Sequence, residues 1–338
     1  MPTTYAIPNG RTVMDATTYT ANGGVQTVNN SDTGSNGFYP DFIWTKPRSI
    51  TANHQLVDSV RGSQYFLYSN LTNTEGNNSQ FVTGFNSNGF GLGTANYGSG
   101  TTMVAWQWNA GSGTTSTNTN GNRTSTVSVN NTAGFSIVSY VFSSSGTNTI
   151  GHGLSTAPAF ILMKDRNTAY NWDVYHVSLG YTQRLILNDT SAASGGFWAA
   201  NPTSTVFSVT SSDATNGDNL IAYCWAPVAG FSAFGSYTGN GSADGPFIYT
   251  GFRPKFVLFR ITSSTGNWDM LDTSRNPYNL TNYRLFAESS SAELTGAGVD
   301  ILSNGFKIRN TDTSYNSSGA NYIYAAFAEN PFKYANAR

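Results

Sequence analysis

The stretch PDFI at residues 40–43 recurs in this chain as PAFI at residues 158–161 and as PKFV at residues 254–257. Proline followed by aromatic and β-branched residues is typical of the start of a β-strand, because proline has no N–H to give to a sheet ladder. Eighteen residues after each proline, a polar residue follows an apolar run: Asp58, His176 and Asp272. Since a repeat at fixed spacing decides the architecture before any single motif does, we predict three divergent copies of one unit.

Further landmarks occur in the same order around these strands. A tyrosine-containing strand comes first in each copy, at residues 19–23, 140–142 and 237–241. The sequence SNGF follows at residues 87–90 and 303–306, where the second copy has VFSV at 206–209. Each copy then closes on an aromatic-rich stretch: VAWQW at 104–108, IAYCW at 221–225 and YAAF at 324–327.

Turn residues are dense between the short apolar runs. Asn-Gly pairs, which favour tight turns because both residues tolerate positive φ, begin at Asn9, Asn22, Asn36, Asn88, Asn120, Asn216, Asn240 and Asn304. No stretch of ten or more residues has a clear helical period. The predicted fold class is therefore all-β, with three tandem antiparallel β-sandwich units of roughly six to eight strands each.

The repeats also set the expected domain boundaries. Residues 1–15 form an N-terminal segment, and the three β-sandwich repeats cover residues 16–110, 127–230 and 231–338. Between the first two lie residues 111–126, whose Gly, Ser, Thr and Asn content predicts a linker or extended surface loop. The second and third repeats follow each other without such a break, so we expect them to pack together or to share strands.

Composition narrows the function classes. Charged residues make up 10% of the 338 residues and the formal net charge is -1, so the chain lacks the basic surface that nucleic-acid binding requires. No segment approaches the roughly 18 consecutive apolar residues that span a bilayer, and no export signal is recognisable, so we expect neither nucleic acid nor membrane as a partner. The single cysteine, Cys224, lies in an apolar run and is expected to be a buried, inert thiol.

Two Asp/Arg pairs at equivalent positions are the candidate ligand-binding residues: Asp58 with Arg61, and Asp272 with Arg275. A carboxylate and a guanidinium three residues apart could bind a sugar. They could equally form a structural ion pair or cap a turn at the strand end, which is the interpretation we favour. The second copy has His176 at this place, which indicates that the unit folds without the pair.

The sequence does not identify an enzyme. Glycoside hydrolysis needs two carboxylates about 5 to 10 Å apart, and the chain has only four glutamates, Glu75, Glu288, Glu293 and Glu329. The histidines His54, His152 and His176 lack partners at metal-ligand spacing, so we predict no metal, no cofactor and no catalytic residue. Tryptophans and tyrosines near polar turns could stack on sugar rings, although core packing is their default role.

The repeated proline strands, the Asp-x-x-Arg segments, the SNGF sequences and the ending YAAFAENPF at residues 324–332 resemble uncharacterised virion-associated proteins of marine phages. The resemblance covers about Thr17 to Arg338. It implies lectin-like sandwiches of the concanavalin type, with jelly-roll character, as in tail fibres and other surface appendages. It carries no catalytic residues to this chain. Because the first repeat begins within about twenty residues of Met1, a compact appendage, short fibre head or capsid-associated protein is expected rather than a long fibre.

The leading hypothesis is a non-enzymatic structural component of a bacteriophage virion that is assembled in the host cytoplasm. Its expected partners are other virion proteins, copies of itself in a symmetric homo-oligomer such as a trimer, and host surface glycans. One alternative is a capsid-associated decoration or adaptor protein without a ligand. The others are a free carbohydrate-binding lectin and a glycan depolymerase.

Overall fold

The computed structural model describes residues 5–30, 37–210 and 213–331. The turn predicted at Asn36 and the outermost parts of the predicted first and last segments, 1–4 and 332–338, lie outside the described residues. The chain is all-β, and every named pair of strands runs antiparallel. Its helical structure within these ranges is the 3-10 turn Gly10–Thr12 and the four-residue helix α1 (Thr313–Asn316). No helix in the described part of the chain has the length and apolar character to cross a bilayer.

The first strand set forms a larger sheet in the order β1-β9-β3-β4, a second sheet β2-β8-β7 and a small ribbon β5-β6. Its members are β1 (Met14–Thr20), β2 (Gln26–Asn29), β3 (Phe42–Pro47), β4 (Gln55–Asp58), β5 (Tyr65–Phe66), β6 (Gly76–Asn77), β7 (Val82–Asn86), β8 (Gly89–Leu92) and β9 (Thr102–Trp108).

The second strand set forms an eight-stranded sheet, β10-β11-β12-β20-β14-β15-β16-β17, and a three-stranded sheet, β13-β19-β18. The segment 111–126, for which a linker or surface loop was predicted, contains the strand β10 paired with β11. The members are β10 (Ser116–Asn118), β11 (Ser125–Asn130), β12 (Phe135–Val141), β13 (Asn148–Gly151), β14 (Phe160–Asp165), β15 (Trp172–His176), β16 (Gln183–Ile186), β17 (Ser194–Gly195), β18 (Trp198–Ala200), β19 (Val206–Val209) and β20 (Asn219–Trp225).

The third strand set forms a five-stranded sheet, β21-β28-β23-β24-β25, and a three-stranded sheet, β22-β27-β26. Its members are β21 (Ser232–Thr238), β22 (Phe247–Tyr249), β23 (Phe252–Ile261), β24 (Asp269–Asp272), β25 (Leu285–Phe286), β26 (Val299–Leu302), β27 (Gly305–Ile308) and β28 (Asn321–Pro331). The Asn-Gly pairs at Asn88 and Asn304 form the turns β7-β8 and β26-β27, at the same place in the first and third sets.

The three larger sheets share one strand order and one register. In each sheet, four strands lie side by side in the equivalent order: β1-β9-β3-β4, β12-β20-β14-β15 and β21-β28-β23-β24. In each, the phenylalanine two residues after the repeated proline pairs with the polar residue eighteen residues after it. These pairs are Phe42 with Asp58, Phe160 with His176 and Phe256 with Asp272. The spacing in the sequence therefore corresponds to a hairpin of fixed register.

Strands β3, β14 and β23 are rich in apolar residues because they are buried on both faces. In β3, Phe42 and Trp44 belong to a core shared by all three sets, while Ile43, between them, belongs to a separate cluster with residues of the first set's smaller sheet. The alternation of side chains along a strand thus supplies two cores from one short apolar run.

The shared core centres on an aromatic triangle. Trp108 and Trp225 end the last strands of the first two sets, and Phe327 lies within the last strand of the third. Each is paired with the phenylalanine two residues after the repeated proline of the neighbouring strand. Their ring centroids are 5.8 Å, 5.6 Å and 6.3 Å apart for the pairs 108/225, 108/327 and 225/327. The triangle joins the three sets directly, since each set supplies one ring. Each aromatic pair of this kind contributes about 0.5–1.5 kcal/mol beyond its buried area.

Candidate functional site

The first predicted pair, Asp58 and Arg61, lies at the junction between the first and second strand sets. Both side chains are fully buried. Asp58 Oδ1 accepts the backbone N–H of Arg61 at 2.9 Å, and its Oδ2 accepts Arg61 Nε at 2.5 Å and the hydroxyl of Tyr223 at 2.7 Å. The contacts have the geometry of both an ion pair and a turn cap, and Tyr223 attaches them to the second set.

The second predicted pair, Asp272 and Arg275, repeats this arrangement between the third and first sets. Its side chains are also fully buried. Asp272 Oδ1 accepts the backbone N–H of Arg275 at 2.8 Å, and its Oδ2 accepts Arg275 Nε at 2.6 Å. The partner from the next set is here Trp106, whose Nε1 donates to Asp272 Oδ2 at 3.1 Å. The two pairs thus lie at separate junctions rather than in one site.

A glutamate and a second arginine extend each pair. Arg61 donates to Glu75 at 3.0 Å, and Glu75 accepts a two-bond fork from Arg166 of the second set at 2.8 Å and 2.9 Å. At the other junction Arg275 donates to Glu293 at 3.0 Å. Glu293 accepts an equivalent pair of hydrogen bonds from Arg48 of the first set. Arg48 and Arg166 both stand eight residues after a repeated proline.

The junction between the second and third sets has no such ionic cluster among the described residues. His176 takes the place of the aspartate, and its Nε2 lies 3.1 Å from the backbone oxygen of Tyr324. Leu179 stands where the other sets have arginine, Ala193 where Glu293 stands, and Thr262 where Arg48 stands. The backbone contact remains, since Ala193 N–H donates to Thr262 O at 2.9 Å. All four ionic members are therefore replaced together.

A ring nitrogen crosses every junction at one further equivalent position, fourteen residues after each proline. Trp172 Nε1 donates to Tyr68 O and Trp268 Nε1 donates to Ile186 O, both at 2.8 Å. His54 Nε2 lies 2.9 Å from Phe286 O, and its Nδ1 accepts Trp44 Nε1, so Nε2 carries the proton. The three sets are linked cyclically: the first bonds to the third, the second to the first, and the third to the second.

Burial and neighbouring charges together set the protonation of the junction residues. Burial alone would raise the pKa of the Asp272 carboxyl, but Arg275 and the hydrogen bonds from Arg275 and Trp106 lower it below its ordinary value. Burial lowers the pKa of His176 to about 4 and that of His54 well below its usual range, so both rings are neutral at pH 7. The Asp272 carboxylate is held charged and the two histidines are held neutral, which suits fixed structural contacts.

A cleft of about 440 Å³ opens elsewhere between the first and third sets. Its walls carry three cations, Arg11, Arg253 and Lys255, and one carboxylate, Glu329. The remaining lining is mainly hydroxyl and amide side chains: Thr17, Thr18, Asn29, Asn30, Thr273 and Ser274, together with Pro277. Sequence reasoning missed these residues because they come from two parts of the chain, 11–30 and 253–329, that are more than two hundred residues apart. The one available signal was Lys255, which stands where the other copies have Asp41 and Ala159.

Other expected features have these positions. Cys224 is a buried thiol, and burial raises its pKa. The tryptophans for which core packing was the expected role are all buried: Trp44, Trp106, Trp108, Trp172, Trp225 and Trp268. Trp268 directly precedes β24, and the other five lie in strands. Within the described ranges no group of three His, Cys, Asp or Glu side chains has the arrangement to hold a metal ion.

Residues 10–331 match a family described as a domain of unknown function, DUF7483. No curated protein and no solved structure matches the chain.

Proposed function

Because the chain belongs to the DUF7483 family, whose function is unknown, we propose its function from its own contacts. It is a non-enzymatic structural component of a bacteriophage virion, which also contacts glycans on the host surface. Within it, the three strand sets are divergent copies of one lectin-like β-sandwich unit. The common strand order, the common register and the cyclic junction contacts support this repeat.

The observation that carries the proposal is the burial of the charged junction residues. The side chains of both Asp/Arg pairs are fully buried: Asp58 with Arg61, and Asp272 with Arg275. Their hydrogen bonds join the members of each pair and connect the pair to the next strand set. A hydrolase needs acid and base groups that reach a substrate in a cleft. Carboxylates and guanidiniums closed off from solvent instead fix how sheets sit against each other, as a structural part of a particle requires.

The virion location rests on the resemblance of the repeats to phage surface proteins. A surface with few charges and many hydroxyl and amide groups suits repeated contacts with neighbouring proteins, because it brings no strong long-range repulsion. The proposed partners are other virion proteins and further copies of this chain. Host glycans are the proposed external ligand, for which the cleft between the first and third sets supplies polar walls.

The test is to purify the phage particles that carry this gene, identify the chain by mass spectrometry and locate it by electron cryomicroscopy. Density at a distal tail or fibre position supports a recognition role. Density between capsid or tail subunits replaces it with the adaptor role, and absence from purified particles refutes the virion assignment. Release of oligosaccharides from host polysaccharide by the purified chain would refute the non-enzymatic assignment and favour the depolymerase.

A further inference from the structure

We propose that the cleft between the first and third strand sets binds a carboxylate-bearing saccharide. This inference rests on the proposed recognition role and names its ligand class. The cleft collects three of the chain's 17 lysines and arginines, although the whole chain carries a net charge of -1. The excess of positive charge is therefore local, and it marks the cleft as a place for an anion.

The guanidinium groups of Arg11 and Arg253 have N–H donors that Glu329 does not use. Glu329 lies between them: Arg11 Nη2 donates to Glu329 Oε1 at 2.9 Å, and Arg253 Nη1 donates to its Oε2. Arg11 Nε is buried and has no hydrogen-bond partner among the described residues. A guanidinium has five N–H donors in a planar fork that matches a carboxylate. Each guanidinium gives one nitrogen to Glu329 and has a side chain that is 32% exposed, so donors remain for a ligand.

Lys255 forms a long ion pair beside the cleft. Its side chain is 4% exposed, and its ammonium lies 3.7 Å from Oδ1 of the buried Asp15, a distance beyond a normal hydrogen bond. A buried charge is costly unless it is paired and hydrogen-bonded. A ligand carboxylate in the cleft would supply the short, charge-assisted bond that this ammonium does not make to the described residues.

The neutral walls indicate a sugar rather than a small inorganic anion. Thr273 Oγ1 is buried without a hydrogen-bond partner in the part of the chain that the structure describes, and it lines the cleft. Thr18 and Asn29 add a hydroxyl and an amide. Such groups match sugar hydroxyls, and a volume near 440 Å³ lies within the range of roughly 300–1,000 Å³ typical of small-molecule sites.

The residue that follows the cleft residue Pro277 in sequence is aromatic. This residue, Tyr278, is 83% exposed. The tyrosine ring can cover the apolar face of a sugar while its hydroxyl stays in water. The cations and the hydroxyl and amide groups of the cleft carry the proposal of an acidic saccharide site.

The experiment measures binding of the full chain to oligogalacturonate by titration calorimetry, with the methyl-esterified oligomer and dextran sulfate as probes. The expected result is saturable binding of the acid form that weakens with added salt, and no binding of the ester. Equal binding of acid and ester, or no binding of the acid, overturns the proposal. Dextran sulfate binding as tightly as the acid overturns its carboxylate specificity and leaves a general anion site.

Two substitutions test the cleft residues. Thr273→Val removes a hydroxyl that has no hydrogen-bond partner among the described residues. Lys255→Met also removes the cation 3.7 Å from the buried Asp15 carboxylate, so its fold is checked by circular dichroism before binding is measured. Lys255→Met is expected to weaken oligogalacturonate binding by about tenfold or more, because it deletes a charge-assisted bond. Thr273→Val is expected to weaken it by roughly two- to tenfold, the range of one neutral hydrogen bond. Unchanged affinity in both variants, with circular dichroism unchanged, overturns the assignment of the cleft.

Arg309→Gln is the matched control, because it removes one positive charge from a half-exposed arginine of the third set that is not among the cleft residues. Its affinity should stay within twofold of the wild type, and a larger loss would show that net charge alone drives binding. Failure of the cleft is distinguishable from failure of the virion assignment, since the presence of the chain in purified particles is measured independently of saccharide binding.

Discussion

Replacing the buried arginine of the third–first junction tests how the strand sets are held together. Arg275→Leu copies Leu179, the residue at the same place in the second set. It removes the guanidinium that contacts Asp272, Glu293 and the backbone oxygen of Met270. Because breaking a buried ion pair leaves an uncompensated charge, we expect the free energy of unfolding at pH 7 to fall by about 3–5 kcal/mol.

The double variant Asp272→His with Arg275→Leu should recover part of this loss. It reproduces the His176 and Leu179 arrangement, in which no charge is buried. One cost remains, since Trp106 Nε1 loses the acceptor it has at 3.1 Å. An unsatisfied buried donor costs about 1–3 kcal/mol, so the double variant should be about 2 kcal/mol more stable than the single one.

Urea unfolding followed by tryptophan fluorescence and far-ultraviolet circular dichroism measures these differences. Arg309→Leu, at an arginine whose side chain is 45% exposed, is the control and should change the free energy by less than about 0.5 kcal/mol. In Arg275→Leu, burial is no longer opposed by the arginine, so the pKa of Asp272 should rise and the loss of stability should shrink at low pH. A single variant that costs under about 1 kcal/mol, or a double variant at least as unstable as the single, refutes the reasoning.

Three further predictions concern buried titratable groups. Burial raises the pKa of Glu288 to about 7, so its contribution to stability is complete below the unfolded value near 4.5 and is lost as pH rises to 7; Glu288→Gln should remove this decline in thermal midpoints measured from pH 4.5 to 8. Burial lowers the pKa of both His152 and His176 to about 4; proton NMR should show neither titrating near 6.5, and a midpoint there would contradict their burial. The Cys224 thiol should react with a disulfide reagent only after denaturant is added, since it is buried and its pKa is raised by burial; rapid labelling of the native chain would show access to the core.

The sequence contained enough information for the all-β class and for the hairpin register. Proline strands and polar residues at a spacing of eighteen predicted equivalent positions, and Phe42 with Asp58, Phe160 with His176 and Phe256 with Asp272 are paired in the structure. Local spacing determines a hairpin because its two strands are close in the chain. The division into sandwich units with the predicted boundaries stays a prediction.

Contacts between the sets could not be predicted in the same way, because they join residues far apart in sequence. Arg166 and Glu75 are 91 residues apart, and Arg48 and Glu293 are 245 apart. A sequence signal did exist for some of them: buried cations follow each proline by six residues, at Lys46, Lys164 and Arg260. The partner of each cation depends on how neighbouring sets pack, which the sequence does not show. The same holds for the cleft that Arg11 and Arg253 line.

The aromatic triangle has a consequence for how many ligands one molecule can hold. Three separate identical chains around such a centre would display every surface feature three times. Here one continuous chain supplies all three rings of the triangle. The core contacts are therefore nearly equivalent, while the surface residues at each junction can differ in sequence. Lys255 is matched by Asp41 and Ala159 at the other two junctions, and Asp41 already accepts the backbone N–H groups of Ala110, Ser112 and Gly113. A ligand that needs the lysine therefore has one binding site on each molecule. Its binding stoichiometry should be one per chain rather than three.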